Sequence, residues 1–341
     1  MFNNKTVLIT GGSGLFGRCF IETMLRDYPG IKKIIVYSRD VQKQDEIAAL
    51  YPEKQYPQLR LFLGDVRDYE RLLRACEGVD IIIHAATISS LSASEYNPEE
   101  CIKTNILGAE NVINVALKTG VQNVIALSSD KACAPLSLYG ATQLVSDKLF
   151  VAANNMKGSK NIRFSVVRYG NVLGTKGSVA QLFLKKKQLG GSTLPITDKR
   201  MTRFLISSQQ VVAAVEFAIE NHLGGEIFVP KTSSYRIIDL AAAIAPAMEQ
   251  KEVGVRPGEK IHEELIASAE SLNTIELSEY YVIVPSMSFI GQRGKVDFIQ
   301  HYKATEVLEG FHYTSNENIR FETIESLRNK VKLFVNPSFK I

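Results

Sequence analysis

The chain has 341 residues, 45% hydrophobic and 22% charged, with a formal net charge of +4. That composition fits an ordinary soluble globular protein with one large domain or two smaller ones. It leaves no electrostatic footprint for nucleic acid, and no apolar run approaches the ~18 residues of a membrane span. Cys19, Cys76, Cys101 and Cys133 are scattered without a CxxC pair, and the five histidines are scattered too, so no metal site is expected. The start, MFNNKTVLIT, runs into a strand after five residues, which does not read as a signal peptide. A reducing cytoplasm is the default location. Lys185, Lys186 and Lys187 form the one block of like charge and read as a solvated helix face.

TVLIT, from Thr6 to Thr10, is a short β-branched apolar run and reads as a buried strand. It enters GGSGLFG, where Gly11, Gly14 and Gly17 have the spacing GxxGxxG. CFIETMLRDY then reads as a helix and KKIIVY as a second strand. Glycines at such a turn let the backbone approach a pyrophosphate, and the helix N-terminus supplies free N–H donors. The glycine pattern alone is weak, but its βαβ setting makes dinucleotide binding the expectation. After the second strand stand Ser38, Arg39, Asp40 and Lys43. Ser38, Arg39 and Lys43 suit a 2′-phosphate and favour NADP, whereas Asp40 suits the free ribose of NAD. LRLFLGDVRD reads as a third strand ending at Asp65 and Val66, with Asp65 able to accept from an adenine amine and Asp68 a helix cap. VDIIIHAA is a fourth strand whose small exit residues, Ala85 among them, let a cofactor lie close. One helix is expected from Pro98 to Thr119, carrying Asn105, a further candidate cofactor contact.

The richest stretch is ALSSDKACAPLSLYGATQLVSDK, from Ala126 to Lys148. A fifth strand leaves on Ser128 and Ser129 and is followed at once by Asp130 and Lys131. A helix opens near Leu138 with Tyr139 and Gln143 on one face. A hydroxyl, a carboxylate, an amine and a phenol thus meet at the carboxyl end of a strand, where open parallel sheets bind ligands. The plainer alternative is a solvated loop with a surface Asp–Lys pair. RFSVVRYGNV, from Arg163 to Val172, reads as the sixth strand. The steady alternation of strand and helix predicts an α/β fold, a doubly wound parallel sheet of the Rossmann type. Residues 1–175 are expected to form the dinucleotide-binding domain, with a later strand near 225–230 returning to its sheet. Residues 176–341 are expected to be mainly a smaller substrate-binding region. There PITDKRMTRFLIS reads as a loop with Arg200 and Arg203, and RPGEK places Arg256 and Glu259 around a tight turn. Basic residues on loops beyond the sheet suit an anionic ligand, although most single loop arginines are only solvated surface.

Taken in order, GGSGLFG, YSRD, GDVRD, EYNPEECIKTNILGAENVI, ALSSDKA, LYGAT, FSVVRYGNVLGTKGSV, PITDKRMTRF, GGEIFVPK and RPGEKIHEELI carry a family. They resemble the extended short-chain dehydrogenase/reductase superfamily, and within it the inverting UDP-N-acetylglucosamine 4,6-dehydratases of pseudaminic acid and related sugar pathways. The resemblance spans Lys5 to Pro285. It implies NADP on Gly11, Gly14 and Gly17, with Ser38, Arg39 and Lys43 at the phosphate and Asp65 at adenine. It implies a reaction through a 4-ketone in which Tyr139 takes the C4 hydroxyl proton, Lys131 removes the C5 proton and Asp130 assists loss of the C6 hydroxyl. Ser129 stands where the family has threonine. Arg256 and Glu259 are implied at the diphosphate and uridine ribose of a UDP-sugar, with Asn171 and Arg203 as further substrate contacts. Related enzymes are oligomeric, so a cytoplasmic homo-oligomer is implied.

Two departures stand out. The superfamily's YxxxK lysine is replaced by Gln143, and the loop after the fourth strand, Thr87 to Ser92, lacks the family's lysine and proline. A UDP-sugar 4- or 5-epimerase shares the ketone chemistry and is the alternative enzyme. A non-catalytic paralogue that binds NADP or UDP-sugar is the alternative outside catalysis.

Overall fold

In the computed structural model, which describes residues 1–175, 177–286 and 293–339, six parallel strands form the centre of the molecule. They are β1 (Thr6–Thr10), β2 (Lys33–Ser38), β3 (Leu59–Leu63), β4 (Ile81–His84), β5 (Asn123–Ser129) and β6 (Arg163–Tyr169). Their order across the sheet is 3-2-1-4-5-6. The topological switch therefore falls between β1 and β4, where such sheets bind ligands beyond their carboxyl ends. Lys176, inside the GTKGSV phrase at the expected domain boundary, lies outside the described residues.

Both faces of the sheet are covered, which is why its strands are apolar on both sides. Helix α1 (Leu15–Asp27) packs with helix Ser208–Asn221 on one face. On the other lie α3 (Tyr69–Ala75), α6 (Gly108–Lys118) and α7 (Leu138–Met156). Between β2 and β3 runs α2 (Val41–Leu50), capped by the Asp40 side chain, which accepts from the Lys43 N–H. The strand Ile227–Pro230 continues the sheet parallel to β6, and Tyr280–Ile283 pairs with it antiparallel. Thr274–Glu276 and Thr305–Glu306 extend that edge.

Three segments differ from the sequence expectations. The sixth strand stops at Tyr169; Asn171–Val172 pairs instead with Thr202–Ile206 in a separate three-stranded sheet. The helix expected from Pro98 to Thr119 divides into α5 (Pro98–Ile102), a π-helical turn (Lys103–Leu107) and α6, and a separate short helix, α4 (Leu91–Tyr96), precedes it. PITDKRMTRFLIS is not a loop: Thr193–Ile196 and Thr202–Ile206 are strands flanking a short turn, and the second is buried throughout. TRFLI ends in an apolar run that finds a partner on each side, Asn171–Val172 and Ser233–Arg236. A second apolar core, with Phe183, Leu194, Leu240 and Val331, holds this outer region together.

Candidate active site

The glycine turn fixes one wall of the site. Gly11 leaves β1 at φ +65°, and a Cβ there would stand 2.8 Å from the Ala86 backbone. Only glycine lets β1 and the exit of β4 approach this closely. The Gly14 N–H closes the turn on the Gly11 carbonyl at 3.0 Å, and α1 starts at Leu15 with no side-chain cap. Its first N–H donors are therefore open to an anion. The turn lines a groove of about 770 Å³ together with Ser38, Arg39, Lys43, Asp65, Val66 and Ala85. Arg18, on the first turn of α1 and not anticipated, faces the same groove.

The charged residues beyond β2 are already paired. Arg39 lies 3.5 Å from Asp65, and Lys43 2.6 Å from Asp40. Asp65 also accepts from Arg67 at 2.7 Å, and its carboxyl stays below the usual range because that pairing outweighs its partial burial. Ser38 is buried, its Oγ accepting from Gln44. Asn105 does not line the groove. The π-helical turn carries it to Ile88, whose N–H it accepts at 2.8 Å and whose carbonyl it binds at 3.1 Å. It fixes the loop after β4, while its neighbour Thr104 faces the groove.

A smaller hollow of about 180 Å³ continues the groove toward β5, with Gly17, Thr87, Ser128, Tyr139, Gln143 and Tyr169 on its walls. Here β5 ends in a 3₁₀ turn, Asp130–Ala132. The Ser129 hydroxyl donates to Asp130 Oδ1 at 2.9 Å and accepts from the Lys131 N–H at 3.3 Å. Lys131 Nζ donates to Asp130 Oδ1 at 3.1 Å and to Glu263 Oε1 at 3.3 Å. Helix α7 begins beside this turn. Ser137 caps it by accepting from the Gly140 N–H, and Glu95 of α4 accepts from the Leu138 N–H at 2.7 Å. Tyr139 is thereby held in the first turn, buried.

Burial and charge oppose each other throughout the cluster. Burial pushes the Tyr139 phenol up to about 12, against the pull of the Lys131 ammonium and the Ser129 hydroxyl. Burial also disfavours charge on Lys131, but Asp130 and Glu263 outweigh it and hold the amine above the ordinary lysine value. Asp130 is raised by burial, with Lys131 pulling it down and Glu263 pushing it up. Burial would raise Glu263 as well, yet Lys131 and Arg203 keep it below the usual range.

The substrate-side candidates separate by burial. Arg203 is buried within its strand and donates to the carbonyls of Thr202, Lys260 and Ile261. Its guanidinium reaches Glu263 at 3.5 Å and Glu259 at 3.8 Å. Arg256 is exposed and pairs with Glu259 at 3.1 Å. Asn171 keeps a buried Oδ1 without a hydrogen-bond partner among the described residues. Glu263 escaped the sequence analysis although it lies inside the RPGEKIHEELI phrase. The available signal was its two-residue spacing from Leu265, which puts both on the buried side of that segment.

A doubly wound sheet with a glycine turn at its switch point and a tyrosine helix beside β5 defines a Rossmann-type short-chain dehydrogenase/reductase architecture. The chain belongs to the polysaccharide biosynthesis protein family, whose model matches residues 7–285. Within it, the chain is similar to two inverting UDP-N-acetylglucosamine 4,6-dehydratases of Campylobacter jejuni. One is 50% identical over 321 residues, covering 93% of this chain and 94% of the relative. The other is 48% identical over 330 residues, covering 96% and 97%. Among solved structures, Pen from Bacillus thuringiensis matches with a TM-score of 0.86 and 32% identity, over 97% of this chain and 98% of that one. The chain is an enzyme of this 4,6-dehydratase kind, a hydro-lyase.

Proposed function

We propose that the protein converts UDP-N-acetylglucosamine, or a closely related UDP-sugar, to its 4-keto-6-deoxy form with inversion at C5, using NADP. The observation that carries this is the cluster of Ser129, Asp130 and Lys131 at the end of β5 beside Tyr139, which itself lines the hollow next to the glycine turn. The glycine turn, the open N-terminus of α1 and the small Ala85 fit a dinucleotide, and Ser38, Arg39 and Lys43 favour a 2′-phosphate. When bound, the cofactor supplies a hydride acceptor at C4 and a hydride donor at C6. Tyr139, as the phenolate that the Lys131 ammonium favours, takes the C4 hydroxyl proton. The resulting ketone acidifies C5, and Lys131 removes that proton. Asp130, whose burial favours its protonated form, gives a proton to the departing C6 hydroxyl, which leaves as water. Arg256, exposed beside Glu259, is available to the diphosphate. By the same likeness, the enzyme works in the cytoplasm as a homo-oligomer and supplies keto-sugars for surface glycans.

Proton NMR of the protein with UDP-N-acetylglucosamine and NADP in deuterated water tests the reading. The expected product has a new C6 methyl group and deuterium at C5, and Lys131→Ala loses both while cofactor binding persists. A 4-epimer or C5-epimer without the methyl group would make the protein an epimerase. Unchanged sugar despite measurable binding would make it a non-catalytic binder.

A further inference from the structure

Outward from the end of β5, acids and bases alternate without a gap: Asp130, Lys131, Glu263, Arg203, Glu259 and Arg256. Glu263 is the middle link, 1% exposed. Its backbone is held independently of its carboxylate: its N–H donates to Ser315 Oγ at 2.9 Å, and its carbonyl accepts from the Ser315 N–H at 2.8 Å. A buried carboxylate costs several kcal/mol unless it is paired. The fold nevertheless places one against the amine the reaction needs. It also leaves Glu263 Oε2 and Asp130 Oδ2 buried, without hydrogen-bond partners among the described residues.

We propose that Glu263 is a positioning residue for Lys131, a second buried carboxylate that fixes the amine beside the sugar and keeps it an ammonium until Tyr139 has taken its proton. This rests on the dehydratase reading above. The first step needs negative charge on the tyrosine oxygen before it takes the proton, and Gln143 brings no cation to it. The Lys131 ammonium is the cation that favours the Tyr139 phenolate. The second step needs the same nitrogen neutral. Between the two, an N–H bond of Lys131 breaks and an O–H bond forms on Asp130, 3.1 Å away. That single transfer yields the neutral amine for the C5 proton and the neutral acid for the C6 hydroxyl, with no outside donor or acceptor.

The groups that face Lys131 are Asp130 from its own turn, Tyr139 from α7, Glu263 and Arg203. Tyr235, on the strand Ser233–Arg236, faces it as well. Of these, Asp130, Glu263 and the Tyr139 phenolate favour the ammonium; Asp130 is also the proton's destination, and Tyr139 loses its charge in the first step. Glu263 is therefore the residue free to hold the resting charge.

The test compares kcat against pH for the wild-type enzyme, Glu263→Gln and Glu263→Asp, with substrate affinity measured by calorimetry. Glu263→Gln keeps an oxygen for Arg203 and Lys131 but removes the charge. Its decline in kcat at high pH, where Lys131 loses its proton, is expected to move down by about one unit or more, with substrate affinity little changed. Glu263→Asp keeps the charge on a shorter arm and is expected to retain the wild-type decline at a lower maximum. Superimposable profiles for wild type and Glu263→Gln would overturn the proposal. So would equal losses in both variants with no shift in pH, which mark a mere brace. A wild-type enzyme that makes no keto product would overturn the dehydratase reading itself, a result distinct from the other two.

Discussion

Gln143 stands one turn beyond Tyr139 on α7, buried. Its amide oxygen accepts from Thr87 Oγ1 at 3.2 Å and its amide nitrogen donates to the Leu127 carbonyl at 3.5 Å. An ammonium at this position would favour the phenolate, which then forms at lower pH. Gln143→Lys is therefore expected to move the rising limb of kcat to lower pH and to raise turnover at neutrality. A differential of about 1.4 kcal/mol at the transition state corresponds to about tenfold. Profiles of kcat against pH for both proteins check this; coincident curves would mean that Lys131 alone governs the phenol. The juxtaposition of Ser129, Asp130, Lys131 and Tyr139 was legible because one strand end, one turn and one helix start bring them together within eleven residues. Glu263 was not, because only the tertiary fold brings it to Lys131 across 132 positions. Arg203 was misread as a loop residue because the polar run before it masked a buried strand.

Among the elements, the join between β5 and α7 holds the residues to which the proposed function gives the chemistry, and its tolerance is small. A Cβ on Gly140 would stand 2.2 Å from the Lys131 carbonyl oxygen, so Gly140→Ala has to displace either the helix or the turn. Overpacking of this kind costs about 1–3 kcal/mol, and a reacting group displaced by ~1 Å loses rate by about 100-fold. The variant is expected to keep cofactor affinity, since the glycine turn is elsewhere, and to lose kcat; titration with NADP and steady-state rates separate the two. The strands were legible as β-branched apolar runs, and β1 matched at both ends. The π-helical turn was not, because KTNIL contains no proline or glycine to mark it. It goes with a tertiary contact: Asn105 binds Ile88 and also donates to Thr142 Oγ1 at 2.9 Å.

At the scale of the whole molecule, a buried ion network ties the sheet to the outer region. Arg168 of β6 is fully buried; it reaches Asp147 of α7 at 3.2 Å, Glu270 at 3.0 Å and the Leu265 carbonyl at 3.1 Å. Burial raises the Asp147 carboxyl to about 6 even with Arg168 beside it. Removing the guanidinium leaves two carboxylates facing each other with no cation between them. Arg168→Ala is expected to destabilise the protein by about 3–5 kcal/mol, read as a lower midpoint in urea unfolding. A shift of a few tenths of a kcal/mol would mean that water replaces the arginine. The same connectivity sets an order of events during synthesis. The six central strands and the glycine turn are complete by Tyr169, whereas Glu263 leaves the ribosome 132 residues after Lys131. At ordinary elongation rates that gap is on the order of ten seconds. On the proposed reading, a nascent chain thus has most of its dinucleotide groove well before Glu263 is made, and until then Lys131 has Asp130 alone to pair with.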